Sequence, residues 1–121
     1  MPDGGAAYLM SRAIGRVKTM ELTLLGERYP ADKAFADGLV TRLVEDENLE
    51  AVTEQIAVKL AKGPPLSLKL IRQMTWAALD SSFAEQLARE RDFQRTAGRT
   101  NDFIEGVSSF REKRKANFTG Q

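Results

Sequence analysis

Neither cysteine nor histidine occurs anywhere in the 121 residues. Without cysteine there is no disulfide framework and no thiolate chemistry. Without histidine, the commonest general base near neutral pH and the commonest metal ligand are gone. No apolar run approaches the roughly 20 residues that a membrane helix needs, and no signal peptide is visible, so a cytoplasmic protein is the expectation. An excess of one charge is missing as well. Lys plus Arg is 18 and Asp plus Glu is 17, a formal net charge of +1. That balance gives no general pull toward nucleic acid or an anionic membrane. There is no repeat and no low-complexity tract, and the length suits one domain with one modest core.

What is present is helical punctuation. From Gly15 to Val44, Val17, Met20, Leu24 and Leu25 recur at helical spacing, and Gly26 follows where a left-handed cap wants no Cβ. Pro30 and Asp32 open a short second helix, which Gly38 closes. Residues 39–44, Leu-Val-Thr-Arg-Leu-Val, are β-branched and partly alternating, and predict one short strand. Before this stretch, Met1 to Gly5 reads as a loop and Ala6 to Ala13 as a short helix. After it, helices are predicted over about 47–61, 66–79 and 83–97, with a last one starting near Asp102. Ser82 and Glu85 form a candidate capping box, and Glu85 and Arg89 an i,i+4 pair. The stripes include Phe83 and Leu87 on one helix and Phe103, Val107 and Phe110 on the last, with burial expected for them. Gly106 inside that last helix suggests that a neighbour passes close. The sum is mainly α with one strand. A lone strand cannot satisfy its own backbone groups and wants a partner from elsewhere.

Two places stand out for chemistry. Asp3 lies between Pro2 and the Gly4-Gly5 pair, at the entrance to a helix. Read from pattern alone, an Asp there is an N-cap. Gly4-Gly5 resembles the start of a phosphate cradle, without a P-loop or dinucleotide fingerprint around it. The basic run at residues 111–115, which holds Lys113, reads as a solvated helix end whose cations complement the dipole, with Phe110 as core. Nucleic-acid binding by this run is disfavoured because the rest of the surface is balanced.

The order of Gly15, Met20, Glu21, Leu22, Gly26, Ala31, Ala34, Gly38, Leu39 and Val40 resembles the central signature of the crotonase (enoyl-CoA hydratase/isomerase) superfamily. Glu105-Gly106-Val107, Phe110, Glu112-Lys113-Arg114 and Phe118-Thr119-Gly120 resemble its closing motif. The Pro2-Asp3 loop and the run from Glu90 to Arg99 are similar to the epoxyphenylacetyl-CoA isomerase branch, alongside enoyl-CoA hydratase-like members. The resemblance covers nearly the whole chain but only the C-terminal part of the family.

The resemblance implies that residues 1–121 form the C-terminal helical domain of the crotonase fold, an orthogonal helical bundle, without the N-terminal ββα-spiral core. It implies an acyl-CoA hydratase/isomerase acting on an enoyl-CoA thioester by enolate-stabilised proton transfer. Asp3 would be the catalytic acid or base, a role that calls for burial. Gly4, Gly5, Phe110 and Lys113 would contact substrate or coenzyme A, with Lys113 pairing to phosphate. No metal and no cofactor beyond the coenzyme A of the substrate are implied. The expected partners are acyl-CoA and further copies of the chain, as a trimer or hexamer, with neither nucleic acid nor membrane. The amides that stabilise the enolate come from family segments upstream of these residues, so the chain alone is expected to be inactive. The rival reading is a non-catalytic helical module for oligomerisation or interaction, which gives Asp3 no task.

Overall fold

In the computed structural model, which describes all 121 residues, the regular structure is helical throughout. The chain divides into two units, Met1–Leu49 and Glu50–Gln121. The mainly α architecture is the one expected of the crotonase C-terminal region.

The first unit holds α1 (Ala6–Ile14), α2 (Arg16–Leu25) and α3 (Ala31–Ala36). A single residue, Gly15 at φ 82, separates α1 from α2 and lets them pack on each other. Gly26 caps α2 from the left-handed region, its N–H bonding the Leu22 carbonyl at 3.1 Å. The Asp37 carboxylate ties the elements together: Lys18 of α2 and the Tyr29 hydroxyl both donate to it. Lys18, then Tyr29, hold the Asp37 carboxyl below its usual range, and burial followed by the Asp37 bond pushes Tyr29 up to about 12. That makes a structural anchor, with Tyr29 held in its protonated form.

The predicted strand at 39–44 does not form. The segment starts as the end of α3: Gly38, at φ 79, donates to the Phe35 carbonyl at 3.1 Å, and Leu39 donates to that of Ala34 at 2.9 Å. This pair of bonds is a Schellman motif. The residues after it find no strand edge in the chain, and β-propensity without a partner leaves extended backbone unpaired.

A 3₁₀ turn (Asp46–Asn48) leads into α4 (Leu49–Ala61), which opens the second unit, followed by α5 (Pro65–Ala77), α6 (Phe83–Ala97) and α7 (Asn101–Glu112). Pro65 occupies the first turn of α5, where its missing N–H costs nothing. A Cβ on Gly63 would meet Leu68 Cδ1 at 2.9 Å and the Leu60 carbonyl at 3.2 Å, so the α4–α5 turn is tightly fitted at this glycine. The capping box of α6 is formed: Glu85 N–H donates to Ser82 Oγ at 3.4 Å and Ser82 N–H to Glu85 Oε2 at 2.8 Å. Arg89 makes no direct hydrogen bond to Glu85, donating instead to Ser81 Oγ at 2.9 Å and Gln86 Oε1 at 3.1 Å, though after the two bonds to Ser82 its charge still helps hold the Glu85 carboxyl below its usual range.

Burial departs from expectation. The buried apolar side chains are Ala34 in the first unit and Leu70 in the second. Phe83 is 80% exposed and Leu87 49%, so neither is core. The stripes exist, but too few helices lie against one another to cover them.

Candidate functional site

Asp3 begins a tight turn. The Ala6 N–H bonds its carbonyl at 2.9 Å, and the residues between, Gly4 and Gly5, have φ 57 and 86. Positive φ at both central positions is the type I′ geometry that glycine admits without strain. The cap reading of Asp3 is not realised: Gly5 is the N-cap of α1 and receives no side-chain cap bond. Asp3 is exposed, and its carboxylate has no hydrogen-bond or ion-pair partner.

The second candidate region lies at the other end of the chain. α7 is capped by Thr100, whose Oγ1 accepts from Phe103 N–H at 3.1 Å. Its far end is again a Schellman motif: Lys113 N–H to Phe110 O at 3.3 Å and Arg114 N–H to Ser109 O at 3.0 Å. Here the left-handed position is held by Lys113, φ 54, where α3 uses Gly38. Lys113 is the sole non-glycine residue with positive φ. An L side chain there costs about 1–2 kcal/mol. Its ammonium is exposed and has no partner, and Phe110 is 85% exposed, so the core reading of Phe110 fails within this chain.

Beyond Lys113 the tail doubles back along α7. Two carboxylates one turn apart hold it. Glu105 takes a bidentate pair from Arg114 at 2.6 and 2.8 Å and the Asn117 N–H at 2.8 Å. Asp102, 5% exposed, accepts from Thr119 N–H at 2.7 Å and Gly120 N–H at 3.0 Å. The Asp102 N–H in turn reaches the Gln121 carbonyl at 3.0 Å. The Phe118 ring lies over Gly106, where a Cβ would sit at an ordinary contact distance of 3.6 Å, so a neighbour is present but leaves room for a methyl group. Arg114 also donates to Glu112 at 2.6 Å, so it is fully engaged. Arg114, then the Asn117 N–H, lower the Glu105 carboxyl to about 2, and the two carboxylates push the Arg114 guanidinium up.

A cleft of about 590 Å³ lies between α5 and α6, floored by Leu70, Ile71, Met74 and Phe93, with Glu90 and Arg91 on its rim. None of the candidate residues lines it. No group of three or more carboxylates gathers where a metal ion could be held. No helix is long and apolar enough to cross a membrane.

The model of the enoyl-CoA hydratase/isomerase family matches residues 1–121. The chain belongs to that family. Its likeness to a 1,2-epoxyphenylacetyl-CoA isomerase of Escherichia coli is 41% identity over 121 residues, covering all of this chain and 46% of the relative. A trans-2-decenoyl-(acyl-carrier-protein) isomerase of Streptococcus mutans is 37% identical over 120 residues, again with 46% of the relative covered. Among solved structures, an enoyl-CoA hydratase subunit from Geobacillus kaustophilus superposes with a TM-score of 0.93 at 34% identity, over 100% of this chain and 47% of that one. The chain therefore spans about half the length of the enoyl-CoA hydratase/isomerase family members it matches.

Sequence reasoning placed Glu105 and Arg114 in the closing motif and Asp102 at the start of the last helix, and gave none of them a part in holding the tail. The legible signal was two acids three apart on one helix face, both just ahead of a helix-interior glycine and followed by a short tail. The linkage of Glu105 has a definite sign. A carboxyl lowered from 4.5 to about 2 stabilises the folded tail fully above its ordinary range and loses that contribution as pH falls toward 2. Followed by NMR on acidification, the Asn117 amide and Phe118 ring signals should stay native at pH 6 and shift only below about pH 4.5, and Glu105→Gln should shift them already at pH 6.

Proposed function

We propose that the chain is the C-terminal domain of an acyl-CoA hydratase/isomerase that acts on an enoyl-CoA thioester by enolate-stabilised proton transfer. Family membership and the names of its relatives support the reaction class. The single observation that carries the ligand contact is Lys113: a lysine kept in a left-handed cap where glycine is cheaper, with its ammonium unpaired. Backbone strain retained against a cheaper alternative points to use of the side chain.

In this reading the thioester carbonyl acidifies the carbon next to it, and negative charge moves onto the carbonyl oxygen as the proton leaves. Donors aimed at that oxygen are each worth roughly 3–4 kcal/mol, and we assign them to family segments outside these residues. Asp3 takes or returns the proton α or γ to the carbonyl. Its carboxylate is uncommitted, and the Gly4-Gly5 turn leaves the backbone open to close approach. Covering Asp3 on assembly would supply the desolvation that a proton-transfer carboxylate needs. Lys113 donates to a phosphate of coenzyme A, and Phe110 offers its exposed ring beside the adenine. No cofactor beyond the coenzyme A of the substrate enters.

A second observation favours an assembly role for the same helices. On α7, Phe103, Ile104, Val107 and Phe110 are all exposed, and uncovered apolar side chains at helical spacing suit an interaction face. We propose that copies of the chain associate through it, as a trimer or hexamer in the whole protein.

Calorimetric titration with coenzyme A should show binding that Lys113→Ala weakens about tenfold, the value of one charge-assisted hydrogen bond; unchanged affinity would contradict the assignment. Light scattering on the chain should give a mass above that of one copy. A clean monomer that binds no hydrophobic dye would count against association.

A further inference from the structure

We infer that Glu105 and Arg114 are positioning residues for Lys113: their bidentate pair holds the tail so that the lysine stays in its left-handed cap with its ammonium free. The inference rests on the reading of Lys113 as the phosphate contact. Two Schellman motifs in one chain supply the comparison. At the end of α3, Gly38 holds the left-handed position at no steric cost, beside Asp37, whose carboxylate Lys18 and Tyr29 hold. At the end of α7 the same two hydrogen bonds must close over a lysine, so the cap calls for support from outside the motif.

That support is the residue next in sequence. Three of the nitrogens of Arg114 are tied to carboxylates, at 2.6 and 2.8 Å to Glu105 and 2.6 Å to Glu112. Fixing both the Arg114 side chain and, three residues on, the Asn117 N–H on one carboxylate leaves the intervening backbone little freedom to unwind the cap. The arginine has a second effect. Glu105 and Glu112 are the last two acids in the sequence before Lys113. Arg114 occupies both, and its planar fork matches a carboxylate better than an ammonium does. Lys113 is thereby left unpaired although it follows directly on Glu112 in sequence.

The prediction runs against simple electrostatics. Removing the Glu105 charge would, by Coulomb attraction alone, tighten the binding of an anion at Lys113. If Glu105 acts by positioning, Glu105→Gln instead weakens coenzyme A binding, about three- to tenfold as the competent cap becomes a minority state. Arg114→Lys keeps the charge, loses the fork and should weaken it similarly. Titration with pantetheine, which lacks the phosphates, separates positioning from general damage: its affinity should be the same for the wild-type chain and both variants. Tighter or unchanged coenzyme A binding in Glu105→Gln overturns the inference while leaving Lys113 as the contact, provided Lys113→Ala still weakens coenzyme A. Equal losses for coenzyme A and pantetheine also overturn it, because they mark a general structural role. If Lys113→Ala itself has no effect on coenzyme A, the reading of Lys113 fails and the positioning role falls with it.

Discussion

Two carboxylates on one face of α7 govern the C-terminal end of this chain. Asp102 and Glu105, one helical turn apart, take up a guanidinium and three backbone N–H groups from the tail. Each of those N–H groups would otherwise need water or a partner, and a charged acceptor makes the stronger bond. The constraint propagates in both directions. It brings Phe118 over Gly106, the one place on the helix where no Cβ intervenes. It also fixes the turn between helix and tail, whose apex is a lysine in a backbone region that lysine disfavours. Gly120, at φ 82, lies where a Cβ would come within 3.0 Å of Pro65, so the end of the tail is closely fitted against the start of α5 as well.

The helices themselves are organised more weakly. Most begin or end on glycine, proline or a capping hydroxyl, yet Ala34 and Leu70 are the only apolar side chains that count as buried, and neither is sealed off completely. Local signals are sufficient to set helix positions, whereas stability in globular proteins comes mainly from burying an amphipathic face. The faces here await cover. Members of the enoyl-CoA hydratase/isomerase family that match this chain are about twice its length, which offers one source of it, and further copies offer another.

The balance between what could and could not be read from sequence follows from this. Helix limits were legible because Gly26, Gly38, Pro65, Ser82 and Gly98 act through their own backbone or an immediate neighbour. The strand at 39–44 was misread because strand formation is non-local: the residues had the composition, and the chain has no edge for them. Burial of Phe83 and Leu87 was misread for the same reason, since periodicity identifies a face without saying what covers it. Gly106 does have a neighbour, Phe118, but at a distance that would admit a Cβ, and that partner could be found only by folding. At the candidate site, the residue types at Asp3 and Lys113 were legible from the family motifs. The freedom of Asp3 from capping duty and the strained backbone of Lys113 were not, because each depends on where neighbouring carbonyls and N–H groups fall in space.

The central claim is that Lys113 holds an unfavourable backbone conformation because its side chain is needed for the ligand. Lys113→Gly tests it by reporting stability and ligand affinity on one protein. Glycine relieves a left-handed strain of about 1–2 kcal/mol, offset in part by the freer unfolded chain. The account predicts a higher melting temperature together with weaker coenzyme A binding. Coenzyme A affinity retained in a stabilised glycine variant would contradict it.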